Sequence, residues 1–147
     1  MAKFESAHVF DGVPVEVFQA LKRYELYPKY LQGVTSIEVL PPKAKGSTAI
    51  VKYEVNLIKK FHYSLNMFEE EPGRIWWTLE DSNLMKANDG SWKLTGKGTQ
   101  QTQAVYTLDV KFKGLMPSAI TDQVAKANMP SMFQGFQKLI LDLRSGS

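Results

Sequence analysis

The chain has 147 residues, a formal net charge of +3 and no cysteine. That length suits one domain, residues 1–147, whose core is large enough to stand without a disulfide or a structural metal. The lack of cysteine excludes a thiol nucleophile, a redox pair and a Cys-ligated zinc. Only Arg23, Arg74 and Arg144 are arginine among 18 basic residues, so the surface is lysine-rich and short of the bidentate fork that reads bases and phosphates.

Residues 3–10, KFESAHVF, read as a short strand broken by Asp11-Gly12. Pro14 suits a first helical turn, and Val17, Phe18 and Leu21 then recur at helical spacing. Tyr27-Pro28 interrupts that helix, and KYLQG reads as a second short turn closed by Gly33. Strands follow at 34–40, 48–58, 61–68, 74–81, 84–96 and 99–112, parted by Pro, Gly, Asn and Lys-rich turns; Asn88-Asp89-Gly90 is itself a turn or bulge signal inside the fifth of these. Glu69-Glu70-Glu71 before Pro72-Gly73 reads as a solvated loop. The last segment, 117–144, is the one long helical pattern and would span roughly 42 Å at about 1.5 Å per residue.

Several strands alternate with a period of two. Val51, Tyr53, Val55 and Leu57 oppose Lys52, Glu54 and Asn56; Phe61, Tyr63, Leu65 and Met67 oppose His62, Ser64 and Asn66. Ile75, Trp77 and Leu79 oppose Arg74 and Glu80, and Ala104, Tyr106, Leu108, Val110 and Phe112 oppose Val105, Thr107, Asp109 and Lys111. One wet face and one dry face predict an antiparallel sheet covered on one side. The order strand, helices, about six strands, helix is an α+β pattern with the helices on one face of a curved sheet.

The final helix must cover the dry face with Ile120, Val124, Ala127, Phe133, Phe136, Ile140 and Leu143. It nevertheless contains Pro130 and Gly135, residues that in a helix interior cost about 3 and about 1 kcal/mol. A plain packing kink, two separate helices, or a bend that admits a ligand each account for them. Beneath it the strands point Tyr53, Phe61, Tyr63, Met67, Trp92, Tyr106 and Phe112. Such aromatic, polarizable side chains build cores as well as ligand cavities.

The segments YELYPKYLQGVTSIEVL, EEEPGRIWWTLED, GSWKLTG, AVYTLDVKF and GLMPSAITDQV, in this order over nearly the whole chain, resemble the polyketide cyclase/dehydrase and coenzyme Q-binding protein group. The resemblance implies a helix-grip fold, as in START lipid-transfer domains and the birch-pollen-allergen type: an antiparallel sheet of six to seven strands wrapped around a long C-terminal helix, with two short helices after the first strand. It also implies a hydrophobic cavity between sheet and helix. The side chains expected to line it are Tyr53, Val55, Phe61, Tyr63, Leu65, Met67, Trp77, Trp92, Tyr106, Leu108, Val124, Phe133 and Phe136.

The chemistry-bearing residues are few. His62 falls on the polar side of its strand, and the alternation around His8 is ambiguous, with Phe4, Ser6 and Phe10 on its side and Glu5, Ala7 and Val9 opposite. No Ser–His–Asp spacing, HExxH, phosphate-cradling glycine loop or dinucleotide fingerprint occurs. No cofactor and no metal are expected. Binding is therefore favoured over catalysis: carriage of a lipid, an isoprenoid quinone or a polyketide-like aromatic, with membrane contact transient if it occurs. One alternative is a cyclase or dehydratase acting in the same cavity through His8 or a tyrosine. Another, which the resemblance also implies, is association with a ribosome or other macromolecule through Lys43, Lys45, Lys59 and Lys60. The N-terminus lacks the apolar region of a secretory signal and no run approaches about 18 apolar residues, so a cytoplasmic location is expected.

Overall fold

A computed structural model of the chain describes residues 2–56, 59–122 and 129–146. Seven antiparallel strands form one sheet: β1 (Ala2–Asp11), β2 (Val34–Leu40), β3 (Ala49–Asn56), β4 (Lys60–Glu70), β5 (Arg74–Ser82), β6 (Met85–Lys97) and β7 (Gln101–Phe112), in the spatial order β1-β7-β6-β5-β4-β3-β2. From β2 to β7 the sheet is a meander. β1 pairs with β7 and so lies at the edge opposite β2. The chain between β1 and β2 must therefore cross the whole sheet. It does so as α1 (Pro14–Leu21), a 3₁₀ turn (Tyr24–Leu26) and α2 (Tyr27–Tyr30). The chain ends in α3 (Ser118–Asp122) and α4 (Met129–Arg144).

Tyr27-Pro28 opens α2; it does not merely interrupt the preceding helix. Its proline stands in the first turn, where no donor is lost. Glu69 and Glu70, read from the sequence as solvated loop, instead end β4, and the Tyr24 hydroxyl donates to Glu69 Oε2 at 2.7 Å. Bulges between Val34 and Ser36, Ser64 and Leu65, and Met85 and Ala87 bend the strands that carry them, so the sheet is concave on its apolar side.

Asn88-Asp89-Gly90 forms no turn: the three residues pair with Val110, Asp109 and Leu108 in the middle of β6. Gly90 is required there by packing. A Cβ on it would land on the Trp77 ring and within 2.8 Å of the Thr107 carbonyl oxygen. The local composition signals a turn, but the glycine serves a close approach of an aromatic ring to backbone.

The inward faces match the period-two pattern. Val51, Tyr53 and Val55 are buried while Lys52, Glu54 and Asn56 are exposed; in β7 Ala104, Leu108 and Val110 are buried while Val105, Thr107 and Asp109 are half-buried. Register settles β1: His8 stands opposite Ala104 and Phe10 opposite Thr102, so Phe4, Ser6, His8 and Phe10 face inward.

At one end of the concave face Phe10, Val17, Phe18, Leu21, Leu139 and Ile140 make a solid, fully buried core under the C-terminal half of α4. Leu139, absent from the stripe read in the sequence, is among its most buried members. Arg144 closes that end. Its guanidinium donates to Glu16 Oε2 at 3.0 Å and to the Asp11 carbonyl at 3.1 Å, tying the last turn of α4 to the turn before α1.

The long helical pattern over 117–144, for which a kinked helix and two separate helices both stood open, is described in two parts. α3 and α4 are helical, and residues 123–128, with Val124 among them, lie outside the described residues. Pro130 is the second residue of α4 as described. Gly135 is interior to α4, and its reason is contact: a Cβ there would strike the Tyr30 carbonyl oxygen and come within 3.2 Å of Leu31 Cδ2. The helix uses glycine to lie directly on the backbone at the end of α2.

Candidate functional site

The concave face is not filled along its whole length. Between the middle of the sheet, the α2–β2 connection and the first turns of α4 lies a cavity of about 140 Å³, partly open to solvent. A buried water needs at least about 10–15 Å³ of such space, so the void is an order of magnitude larger than a single-water site. β3 contributes Tyr53 and Val55; β4 contributes Phe61, Tyr63, Leu65 and Met67; β5 and β6 contribute Ile75, Trp77, Asn88 and Trp92; β7 contributes Tyr106 and Leu108. Tyr27, Leu31, Gln32 and Val34 form the rim on the α2 side, and Met132 and Phe136 of α4 form the roof.

Each inward side chain is there because a strand of period two aims every second residue at the same face. The rings pack on one another. Tyr53 and Tyr63 stack at 4.6 Å with their planes 12° apart, Phe61 continues the stack at 5.8 Å from Tyr63, and Trp92 lies 4.8 Å from Tyr106. Trp77 is oriented by its indole N–H, which donates to Asn88 Oδ1 at 3.0 Å; the Asn88 amide nitrogen in turn contacts Met85 Sδ at 3.7 Å. A buried asparagine thus holds the wall in place.

The cavity is apolar with a few polar groups set into it. Tyr27 is satisfied, its hydroxyl donating to the Leu21 carbonyl. Among the described residues the hydroxyls of Tyr53, Tyr63 and Tyr106 have no protein partner, and none is sealed off from free space. Burial pushes all three well above the usual phenol range; nearby tyrosines add to the effect, Tyr27, Tyr63 and Tyr106 on Tyr53, and Tyr106 on Tyr63. They are neutral donors at any physiological pH. The described lining residues include no Asp, Glu, His, Lys or Arg.

Eleven of the thirteen residues expected from the sequence stand around this space. Phe133 does not: it is buried behind the wall, edge-on to Trp92 at 5.9 Å and stacked on His8 at 4.7 Å with the planes 3° apart. Val124 lies outside the described residues. His8 faces inward but packs between Phe133 and Phe10, apart from the cavity lining, and burial holds its pKa below the ordinary histidine value. His62 is exposed on the outer side of β4.

Sequence reasoning missed Tyr27, Leu31, Gln32, Val34, Ile75, Asn88 and Met132. Ile75 had the right alternation and could have been included. The rim residues sit in a short helix, the connection after it and the first position of β2, with no repeating pattern among them, and Asn88 was hidden in a turn signal.

A family model described as polyketide cyclase/dehydrase and lipid transport matches residues 13–137. Among curated proteins, none matches the sequence. Solved structures do match. A START superfamily protein from Mycobacterium smegmatis superposes with a TM-score of 0.82 at 12% identity, over 96% of this chain and 98% of that one. A protein from Thermus thermophilus gives 0.82 at 17% identity, over 97% and 99%. The ZhuI aromatase/cyclase from Streptomyces sp. R1128 gives 0.81 at 13% identity, over 95% and 93%. At such identities the likeness carries the fold alone: the helix-grip architecture expected from the sequence is the one found.

Proposed function

This chain belongs to the polyketide cyclase/dehydrase and lipid transport family, and we propose that it binds and carries an apolar small molecule in the cavity between its sheet and α4. The observation that carries this reading is the unfilled space itself, walled by stacked aromatic and aliphatic side chains between the sheet and α4. Removing apolar ligand surface from water there supplies about 25 cal/mol per Å². A lipid, an isoprenoid quinone and a polyketide-like aromatic all have that surface.

Carriage is favoured over turnover by the lining. General acid–base catalysis works best with a group that titrates near the operating pH and within reach of the substrate. The tyrosines are pushed away from that range, and His8 packs elsewhere. The test is native mass spectrometry of the purified protein, followed by solvent extraction and by titration of the emptied protein with hydrophobic ligands. A co-purifying apolar molecule, or saturable one-to-one binding that quenches Trp77 and Trp92, is the expected result. A protein that carries nothing and takes up none of the three ligand classes would overturn the reading.

A further inference from the structure

Most of the cavity wall is hydrocarbon and could hold any greasy molecule, but three of its groups discriminate. Tyr53, on β3, Tyr63, on β4, and Tyr106, on β7, all stand on the inward face of the sheet and all line the cavity. Tyr53 is only 7% exposed and stacks on Tyr63, and Tyr106 stands on the wall of the same cavity beside Trp77 and Trp92. None has a protein partner among the described residues. A saturated chain laid over them would seal three donors away from water with nothing to bond, and each such group is expensive to leave unpaired. A carboxylate would satisfy the donors, but it would bring a full charge into a lining in which the described residues offer no cation, and burying an unpaired charge is costlier still.

We propose that the Tyr53–Tyr63–Tyr106 cluster is an oxygen-recognition site, and that the preferred ligand is an uncharged ring compound carrying a carbonyl-type acceptor, not a fatty acid or a plain hydrocarbon. This rests on the carrier reading above and narrows it. The rings of Tyr53, Tyr63, Trp77 and Trp92 supply faces for a planar ligand to stack on, and the hydroxyls fix which end enters. Asn88 keeps the Trp77 face in place through its 3.0 Å bond to the indole.

Three probes of one shape test it by isothermal titration calorimetry on the full chain at neutral pH: naphthalene, 2-acetonaphthone and 2-naphthoate. The ketone is expected to bind at least about fivefold tighter than naphthalene, the gain of one or more net hydrogen bonds. The carboxylate is expected to bind at least about tenfold weaker than the ketone. Tyr53→Phe, Tyr63→Phe and Tyr106→Phe, which remove only an oxygen each, are expected to erode the ketone's advantage, weakening the ketone while naphthalene binds no worse, because one donor fewer is sealed away unpaired. Equal binding of ketone and hydrocarbon, or a carboxylate that binds as well as the ketone, would overturn the proposal while leaving the carrier reading intact. Phe variants that bind the ketone as tightly as the parent chain would do the same. If none of the probes binds, this inference falls, and the carrier reading stands or falls on its own extraction and titration with the three ligand classes.

Discussion

Gly135, in the middle of α4, lies directly against the backbone carbonyl of Tyr30, at the end of α2. The two helices touch there without a side chain between them. The contact is supported nearby by the Tyr30 hydroxyl, which donates to Asp142 Oδ2 at 2.7 Å, and by Phe136, edge-on to Tyr27 at 5.3 Å. The roof of the cavity is therefore hung on α2, and its height above the sheet is set by a missing methyl group.

Gly135→Ala follows from this. On an exposed helix the change would stabilise by about 1 kcal/mol. Here the new Cβ meets backbone, which cannot swing aside, and the expected outcome is a net loss of roughly 1–3 kcal/mol. Urea unfolding of the two proteins measures it. A variant as stable as the parent, or more so, would show that α4 does not lie on α2 as described.

Val55 lines the cavity and is itself buried. Val55→Phe should push a ring into the empty space. If the void exists, the protein keeps its Tm while ligand uptake falls by at least about tenfold, since the occupied volume is now side chain. If the region is already full, the larger residue should instead destabilise by roughly 1–3 kcal/mol. Thermal melts and ligand titration of the same variant separate the two.

Glu16 is held below the usual carboxylate range, first by its hydrogen bond from Arg144 and also by the bond it accepts from the Val13 amide, at 3.1 Å. A carboxylate depressed on folding contributes stability that is present above the unfolded pKa and is lost as pH falls through the lower folded value. Parent and Glu16→Gln should therefore differ most at neutral pH, begin to converge near the unfolded glutamate pKa of about 4.3, and meet only below the lower folded value. Melting curves between pH 7 and pH 3 check this, and the difference should shrink in high salt because the pair is largely exposed.

His8 runs the other way in charge but the same way in pH. Burial lowers its pKa, so the unfolded chain binds a proton that the folded chain resists, and stability declines as pH drops below about 6.5. His8→Phe keeps a ring on Phe133 and removes the proton. Its Tm is expected to vary less than the parent's between pH 7 and pH 5; an unchanged slope would show that His8 is not desolvated against Phe133.

What could be read along the chain was whatever repeats. Period-two alternation in β3, β4, β5 and β7 identified the dry face, and with it Tyr53, Tyr63, Trp77 and Tyr106, because a pleated strand leaves a residue no choice of side once its neighbours are assigned. The strand boundaries followed from the Pro, Gly, Asn and Lys-rich turns, also a local signal. Tertiary structure alone decided the rest. Whether the aromatic cluster closes into a core or stands around a space depends on how high α4 sits, and that is set by the contact of Gly135 with Tyr30. Asn88 looked like a turn residue and became a wall support because Trp77 needs the space over Gly90. Leu31, Gln32 and Val34 joined the rim because β1 and β2 occupy opposite edges of the sheet, which forces the connecting chain across the cavity mouth. Periodicity records which way a side chain points; it holds no information about the distance between two elements far apart in sequence, and a cavity is made of that distance.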